Sequence, residues 1–484
     1  MKPARACAIM LTLAGGGAAG AAPAAAQGIP ISPPALAPPA PLRVPPVESA
    51  LLSNGLRLYV VQQHEVPVVQ FLLSVAGGGR TDGPRPGLAS FTAGMLDEGA
   101  DTLDAFGIAA EAAYLGASLN SGAGWDAIQL SLKTPKRTMR QSLALLAIVA
   151  LSPNFKSADV ARQRELRLAR ILQQRDEPQA VAALAFSALV FPPGHPYHAS
   201  LGGDSASTVG LDSLSVRRYY GRTFRPDRAR LIVTGDVTLA EVRAAVAHRF
   251  GRWRAPQQPP LLPPHAIDAL SQSTAVYLVD KPGAAQSVIV IGAPGVARTS
   301  PDYYALQVMN TILGGSFSSR INQNLRETRG YTYGAGSGFE YRPLPGPFIA
   351  QTSVRTYVSD SSLIELFKEF RGIRDSAVTP VELARAKSYI ALGLGGEFET
   401  TGQVAGQLAE LQQFGLLLTS FNTYVPRIMA VTAHDVQRVA RTYLRPDRLS
   451  VVVVGDLARV RTGIEALKLG PLSERDLAGR EVTR

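Results

Sequence analysis

The chain has 484 residues, 46% of them hydrophobic and 18% charged, enough apolar material for large cores and too much for a disordered chain. Its 49 Lys and Arg against 38 Asp and Glu leave a net charge of +11. These basic residues are scattered, with no block interleaved with aromatics, so no nucleic-acid partner is indicated.

Lys2 and Arg5 precede an apolar, Ala- and Gly-rich stretch that closes at Ala24-Ala25-Ala26 before Gln27. That pattern reads as a secretory signal peptide over residues 1–26, so the protein is expected to be secreted, into a bacterial periplasm. The one cysteine, Cys7, falls inside that leader, which leaves no disulfide and no thiolate for chemistry. No later stretch offers the run of apolar residues that a transmembrane segment needs. Eight prolines between residues 28 and 48 give a stiff Pro-rich arm, assigned to 27–47.

A first domain, 48–253, opens with expected strands at 56–62 and 68–75, rich in Val, Leu and Tyr and flanking a turn. Helical periodicity follows over 88–98, 105–115, 138–148 and 158–175. Prolines 256, 259, 260, 263 and 264 mark an interdomain linker at 254–266. The second domain, 267–470, repeats the opening with strands at 275–279 and 287–291. Helices are expected at 304–313, 318–328 and near 380–392, and residues 471–484 form a tail. The run Gly334-Ala335-Gly336-Ser337-Gly338 lacks a phosphate-loop lysine and reads as a turn.

The two domains carry an internal repeat. Arg225-Pro226-Asp227-Arg228 leads through Leu231-Ile232-Val233 to Gly235-Asp236, and Arg445-Pro446-Asp447-Arg448 leads through Val451-Val452-Val453-Val454 to Gly455-Asp456, at a constant offset of 220 residues. Each copy follows an amphipathic segment with an aromatic near its end. Strands mixed with helices, without regular alternation, predict an α+β fold of two homologous halves, each an antiparallel sheet covered by helices.

The frame Gly87-Leu88-Ala89-Ser90-Phe91-Thr92-Ala93-Gly94-Met95-Leu96, followed by Glu98-Gly99, resembles the inverted zinc motif of the pitrilysin/insulinase peptidases, in which a helix beginning G-L-A carries H-x-x-E-H. In that family the two histidines bind zinc and the glutamate activates a water. The matching positions here are Ser90, Ala93 and Gly94. The family's third ligand, a glutamate on a later helix, falls on Arg170 in Arg164-Glu165-Leu166-Arg167-Leu168-Ala169-Arg170. The resemblance therefore implies degenerate zinc-site positions at Ser90, Ala93, Gly94 and Arg170, with no metal and no catalytic residue in this chain alone. The six histidines offer no replacement: only His195 and His198 are close, and Pro196 between them denies a helical pair. No G-x-S-x-G nucleophile elbow occurs either.

The second half keeps what the first has lost. Leu325-Arg326-Glu327-Thr328-Arg329-Gly330-Tyr331-Thr332-Tyr333 is similar to the family's substrate motif, L-R-E-x-R-G-x-x-Y, which places Arg326 and Tyr333 at the positions that hold the peptide and stabilise the oxyanion. The resemblance spans residues 48–470 and points to the short members of the family, in which each chain is half of a clamshell dimer. It implies a non-catalytic, substrate-binding subunit of a heterodimeric zinc peptidase. Its partners would be a homologous chain bearing HxxEH, where zinc would reside, and an unstructured peptide. The alternative is a stand-alone pseudo-peptidase that serves as a peptide-binding or scaffold protein.

Overall fold

A computed structural model describes residues 42, 44–257, 259–261 and 273–482. The expected signal peptide, most of the expected Pro-rich arm and part of the expected linker lie outside the described residues. At the end of the arm, Leu42, Val44 and Val47 are half-buried against the core of the second half.

The first half runs β1 (Glu48–Leu51), β2 (Arg57–Gln62), β3 (Val68–Ala76), α1 (Leu88–Gly94), the small hairpin β4 (Gly99–Ala100) and β5 (Leu103–Asp104), and α2 (Ala105–Tyr114). It continues with β6 (Ser118–Ala123), β7 (Ala127–Pro135), α3 (Met139–Leu151), α4 (Ser157–Gln174), α5 (Pro178–Val190), α6 (Ser205–Val209), α7 (Ser213–Thr223), β8 (Ala229–Gly235) and α8 (Leu239–Phe250). The second half has β9 (Ala275–Asp280), β10 (Gln286–Pro294), α9 (Tyr303–Leu313), α10 (Arg320–Asn322), a π-helical stretch Gln323–Thr328, β11 (Thr332–Phe339) and β12 (Pro347–Arg355). After these come α11 (Ser359–Asp375), α12 (Pro380–Gly393), α13 (Thr401–Gln413), α14 (Tyr424–Ala430), α15 (Ala433–Tyr443), β13 (Ser450–Gly455), α16 (Leu457–Ala466) and β14 (Leu472–Arg475).

The duplication is visible in the strand order. The first sheet is β1-β2-β8-β3-β7-β6 and the second β11-β12-β10-β13-β9-β14, so that β2-β8-β3-β7-β6 corresponds to β9-β13-β10-β12-β11. Each sheet is mainly antiparallel. The strand that follows each RPDR repeat, however, runs parallel to an early strand of its half, β8 beside β2 and β13 beside β9. Both sheets are therefore mixed, because a strand that returns after several helices enters from the same end as that early strand.

Each half covers one face of its sheet with its own helices and the other face with a helix from the opposite half. On the first sheet, Leu58, Val60, Phe71, Leu73, Leu231 and Val233 pack with α3 and α8 residues such as Leu143, Leu146, Val242 and Val246. The reverse face, with Tyr59, Val61, Leu72 and Ile232, joins Val404, Ala405, Leu408 and Leu411 of α13. Two hydrogen bonds fix this helix: the Thr234 hydroxyl donates to the Thr401 carbonyl (2.7 Å) and the Tyr59 hydroxyl to Gln412 (2.7 Å).

The second sheet mirrors this arrangement. Tyr277, Val279, Val288, Val290, Val452 and Val454 pack against Val181, Ala182, Ala185, Phe186 and Val190 of α5. Gly292 in β10 makes room for that helix, since a Cβ there would stand 2.6 Å from the Phe186 ring and 2.0 Å from the Phe348 carbonyl oxygen.

Several local expectations change. Residues 88–98 form a helix only over α1, because the amides of Met95 and Leu96 turn back to the carbonyls of Thr92 and Ala93 and Gly99 enters the β4–β5 hairpin. The expected helix over 318–328 starts at Arg320 and widens into the π-helical stretch. The Gly-rich run 334–338 is not a turn but the body of β11, paired with β12 from Ala335↔Thr352 to Phe339↔Phe348. Its small residues admit the chain at Gly314, whose carbonyl accepts the Ser337 amide (3.0 Å) and where a Cβ would meet that nitrogen at 2.5 Å.

The exchanged helices predict one cooperative unit. Leu408→Ala should cost about 2–5 kcal/mol and Phe186→Ala about 3–5 kcal/mol. Chemical denaturation followed by far-UV and near-UV circular dichroism should show a single coincident transition in the parent and in both variants.

Candidate functional site

The zinc-motif frame lies on α1, which is held by other groups. Its N-terminal residue is preceded by Gly87 in the left-handed region (φ 87°), where a Cβ would press on the Gly202 carbonyl. Asp82 replaces a side-chain cap by accepting the amides of Gly87 and Ala89, both at 2.7 Å. Burial lifts this carboxyl to about 7, against the pull of those amides and of Arg167.

Helix α4 is clasped to α1 from the other side. Arg167 donates to the Gly87 carbonyl (2.9 Å), and its guanidinium lies 5.0 Å from the centre of the Phe91 ring. Burial, with Arg170 repelling it, brings Arg167 down to about 10. Glu98, just past the motif, accepts from Arg162 and Gln163 of α4.

None of the four degenerate positions fits zinc. The Ser90 hydroxyl donates back to the Gly87 carbonyl (3.0 Å). Ala93 is fully buried, its carbonyl accepting from the Ser121 hydroxyl (2.8 Å), and Gly94 is exposed with open space where a side chain would be. Arg170 stands exposed on α4, a cation where the resemblance places a carboxylate ligand. Among the described residues, no three His, Cys, Asp or Glu side chains converge as metal ligands. His195 and His198 instead belong to a packed loop: His195 stacks on Phe191, and His198 Nδ1 is 2.7 Å from the Phe191 carbonyl oxygen. Tyr197 between them is buried beneath the guanidinium of Arg342, which reaches it from the second half at 4.3 Å.

Arg326 and Tyr333 lie on neighbouring pieces of the second half. Arg326 sits on the π-helical stretch, its Nε 3.4 Å from Glu327 and its guanidinium 4.6 Å from the centre of the Phe317 ring. Tyr333 is 89% exposed at the start of β11, an edge strand, where the pairing slips between Thr332 and Ala335. The Thr332 hydroxyl holds this irregularity by contacts to the carbonyls of Ser353 (2.7 Å) and Gly334 (2.9 Å). Asn322 joins the two pieces, accepting the Ala335 amide (3.3 Å).

A clamp that the linear motif does not reveal fixes the start of the Arg326 segment. Arg320 pairs in bidentate fashion with Glu382 (2.7 and 3.0 Å), which also caps α12 through Thr379. Asn324 donates to Glu365 and Glu369 of α11, and Arg329 to Glu365. The T-x-x-E spacing of Thr379 and Glu382 signals the cap, but nothing in the sequence announces Arg320 as a second partner.

Hydrogen bonds from Arg320 hold Glu382 down at about 2, below its ordinary 4.5. A carboxyl depressed on folding stabilises the fold above its unfolded value, and this contribution is lost as pH falls from 4.5 towards 2. Denaturant titrations across that range should show a stability slope in the parent that Glu382→Gln lacks.

Comparison with known proteins places these observations in one family. The profile described as insulinase (peptidase family M16) matches residues 58–192, and that described as peptidase M16 inactive domain matches 211–390. The chain is 29% identical to an uncharacterized zinc protease of Mycobacterium leprae over 297 residues, 60% of this chain and 65% of that relative. It is 24% identical to an uncharacterized zinc protease of Streptomyces coelicolor over 85% of this chain and 90% of that relative. With the non-peptidase homolog YmxG of Helicobacter pylori it shares 23% identity over 82% and 90%. Among solved structures, a peptidase M16 inactive domain from Pseudomonas fluorescens superposes with a TM-score of 0.78 at 26% identity, covering 84% of this chain and 98% of that one. A Helicobacter pylori protease shares the fold with a TM-score of 0.80 at 19% identity, over 85% and 100%. With both halves matched in order and the zinc frame located on α1, the chain belongs to the insulinase family of M16 peptidases and lacks that family's HxxEH motif.

Proposed function

We propose that this protein is the non-catalytic, substrate-binding subunit of an exported two-chain peptidase. A homologous chain with an intact HxxEH performs the hydrolysis, and this chain supplies Arg326 and Tyr333 to the peptide held between them. The observation that carries the reading is the contrast between the halves. The α1 frame keeps no imidazole or carboxylate for a metal, while Tyr333 stands 89% exposed on the strand that follows the Arg326 segment, whose start the Arg320–Glu382 pair holds. A guanidinium and a phenol aimed at a peptide carbonyl are suited to donate to it, and more strongly as negative charge develops on its oxygen. The strands β6 and β11 end their sheets and offer a backbone edge to an extended peptide. The names "non-peptidase homolog" and "inactive domain" among the relatives support a role without hydrolysis in this chain.

Export rests on the leader at residues 1–26, and mass spectrometry of the protein from its native host should find a mature terminus at Gln27.

The decisive assay compares hydrolysis of unstructured peptides by this chain, by its HxxEH-bearing homologue, and by the mixture, with zinc measured in each. Activity is expected only in the mixture, with zinc confined to the homologue. Tyr333→Phe and Arg326→Ala should lower kcat on the order of a hundredfold, the cost of removing one oxyanion donor. A homologue that is fully active alone and indifferent to mixing overturns complementation and leaves the stand-alone peptide-binding role.

A further inference from the structure

The face of the first sheet that α13 covers runs on past the end of that helix. Beyond the apolar Tyr59, Leu72 and Ile232, the same face continues through Arg57, Ser74 and Arg230, and there it bounds open space instead of another helix. Two adjoining cavities of about 170 and 200 Å³ share Ala76, Arg228 and Arg230. Arg57 lines the first, while Arg80 and Gln413, the last residue of α13, line the second.

The charge at this spot is unbalanced. Arg57 and Arg230 are direct register partners on parallel strands, a like-charge pairing that destabilises a sheet when nothing lies between. Among the described residues, the side chains of Arg57, Arg228 and Arg230 have no acidic partner, and the Nε of Arg230 is buried without an acceptor. The carboxylates that also line these cavities, Asp227 in the first and Asp126 in the second, are already engaged. Asp126 pairs with Arg80, and Asp227 accepts from Arg225 at 3.1 and 3.3 Å. Three guanidinium groups are thus left over at the wall of a partly enclosed cavity, and for the buried Nε of Arg230 this is a cost that an anion would offset. Burial, together with Arg57 and Arg228, already weakens proton binding at Arg230, the response expected of cations crowded without a counter-charge.

We infer that Arg57, Arg228 and Arg230 form a binding site for a phosphate group. Each guanidinium offers five donors in a planar fork, and three forks from two strands and a turn present more donors than a planar carboxylate can accept. A tetrahedral phosphate takes them from several sides. The cavity that all three line, of about 170 Å³, has the volume of about five or six waters, enough for one phosphate group and below the usual size of pockets for larger organic ligands. The group comes either from inorganic phosphate or from the end of a small phosphomonoester. The site lies in the first half and involves neither Arg326 nor Tyr333, so it stands or falls independently of the peptidase role.

Titration calorimetry of the full chain with inorganic phosphate, glycerol phosphate and acetate, at constant ionic strength, tests the site. Saturable one-site binding of phosphate is expected, weakened at least about tenfold in Arg228→Gln and in Arg230→Gln, each of which removes a charge-assisted fork. Arg57→Gln, at an exposed position that cannot disturb the core, should weaken it in the same direction. Inorganic phosphate bound in preference to glycerol phosphate assigns the free anion as source, and the reverse assigns an ester; both support the site. Thermal unfolding supplies a second readout. Without phosphate, Arg230→Gln should melt at or above the parent because like charges are relieved, and with saturating phosphate the parent alone should rise. No saturable binding at millimolar phosphate, acetate bound as well as phosphate, or unchanged affinity in Arg57→Gln and Arg230→Gln overturns the proposal.

Discussion

Each sheet of this protein has one apolar face that its own half leaves bare, and the burial of those two faces by exchanged helices is the constraint on which the rest depends. Helix α5 leaves the first half to cover Val288, Val290, Val452 and Val454, and α13 leaves the second to cover Tyr59, Val61, Leu72 and Ile232. Neither half completes its core alone, since an uncovered row of Val, Ile and Tyr would cost roughly 1.5–3 kcal/mol for each large side chain left in water. The duplicated halves are therefore interlocked, and the motif-bearing segments of both are mounted on a common framework.

On that framework the motif-bearing segments of the two halves are held in different ways. In the first, α1 and α4 still lie side by side, but the groups between them are structural. Asp82 caps, Arg167 reaches the Gly87 carbonyl and the Phe91 ring, and Glu98 ties to Arg162 and Gln163. The arginine-rich face of α4 suits a site with no metal to bind, where a carboxylate would otherwise be left desolvated and unpaired. In the second, Glu382 fixes Arg320 and Glu365 fixes Asn324 and Arg329, so the π-helical stretch holds a wide turn that an ordinary helix would close. Side chains are locked around Arg326 and Tyr333 while Tyr333 itself stays in solvent.

The repeat at an offset of 220 was legible because the RPDR turn and its buried strand are local in sequence, and they reappear at the same place in each sheet, as β8 and β13. The Gly-rich run 334–338 was misread for an equally local reason. Glycine favours turns on its own, yet in β11 it is tolerated because the Gly314 backbone approaches that strand too closely for side chains. The exchanged helices left little trace. The α5 segment, Pro-Gln-Ala-Val-Ala-Ala-Leu-Ala-Phe-Ser-Ala-Leu-Val, is so uniformly small and apolar that no polar stripe marks which side faces a sheet, let alone whose sheet.

The sequence by itself determined that the chain is duplicated and that Ser90, Ala93, Gly94 and Arg170 cannot serve a metal, because the presence or absence of a donor atom belongs to a residue wherever the fold puts it. Only the tertiary structure decided which helix covers which sheet, that Arg320 meets Glu382, and that Arg57, Arg228 and Arg230 line one cavity with no acidic partner of their own among the described residues. Arg320 and Glu382 are 62 positions apart, and Arg57 and Arg230 are 173 apart. Over such distances the outcome depends on strand register and on where a covering helix stops, which no local pattern of residues encodes.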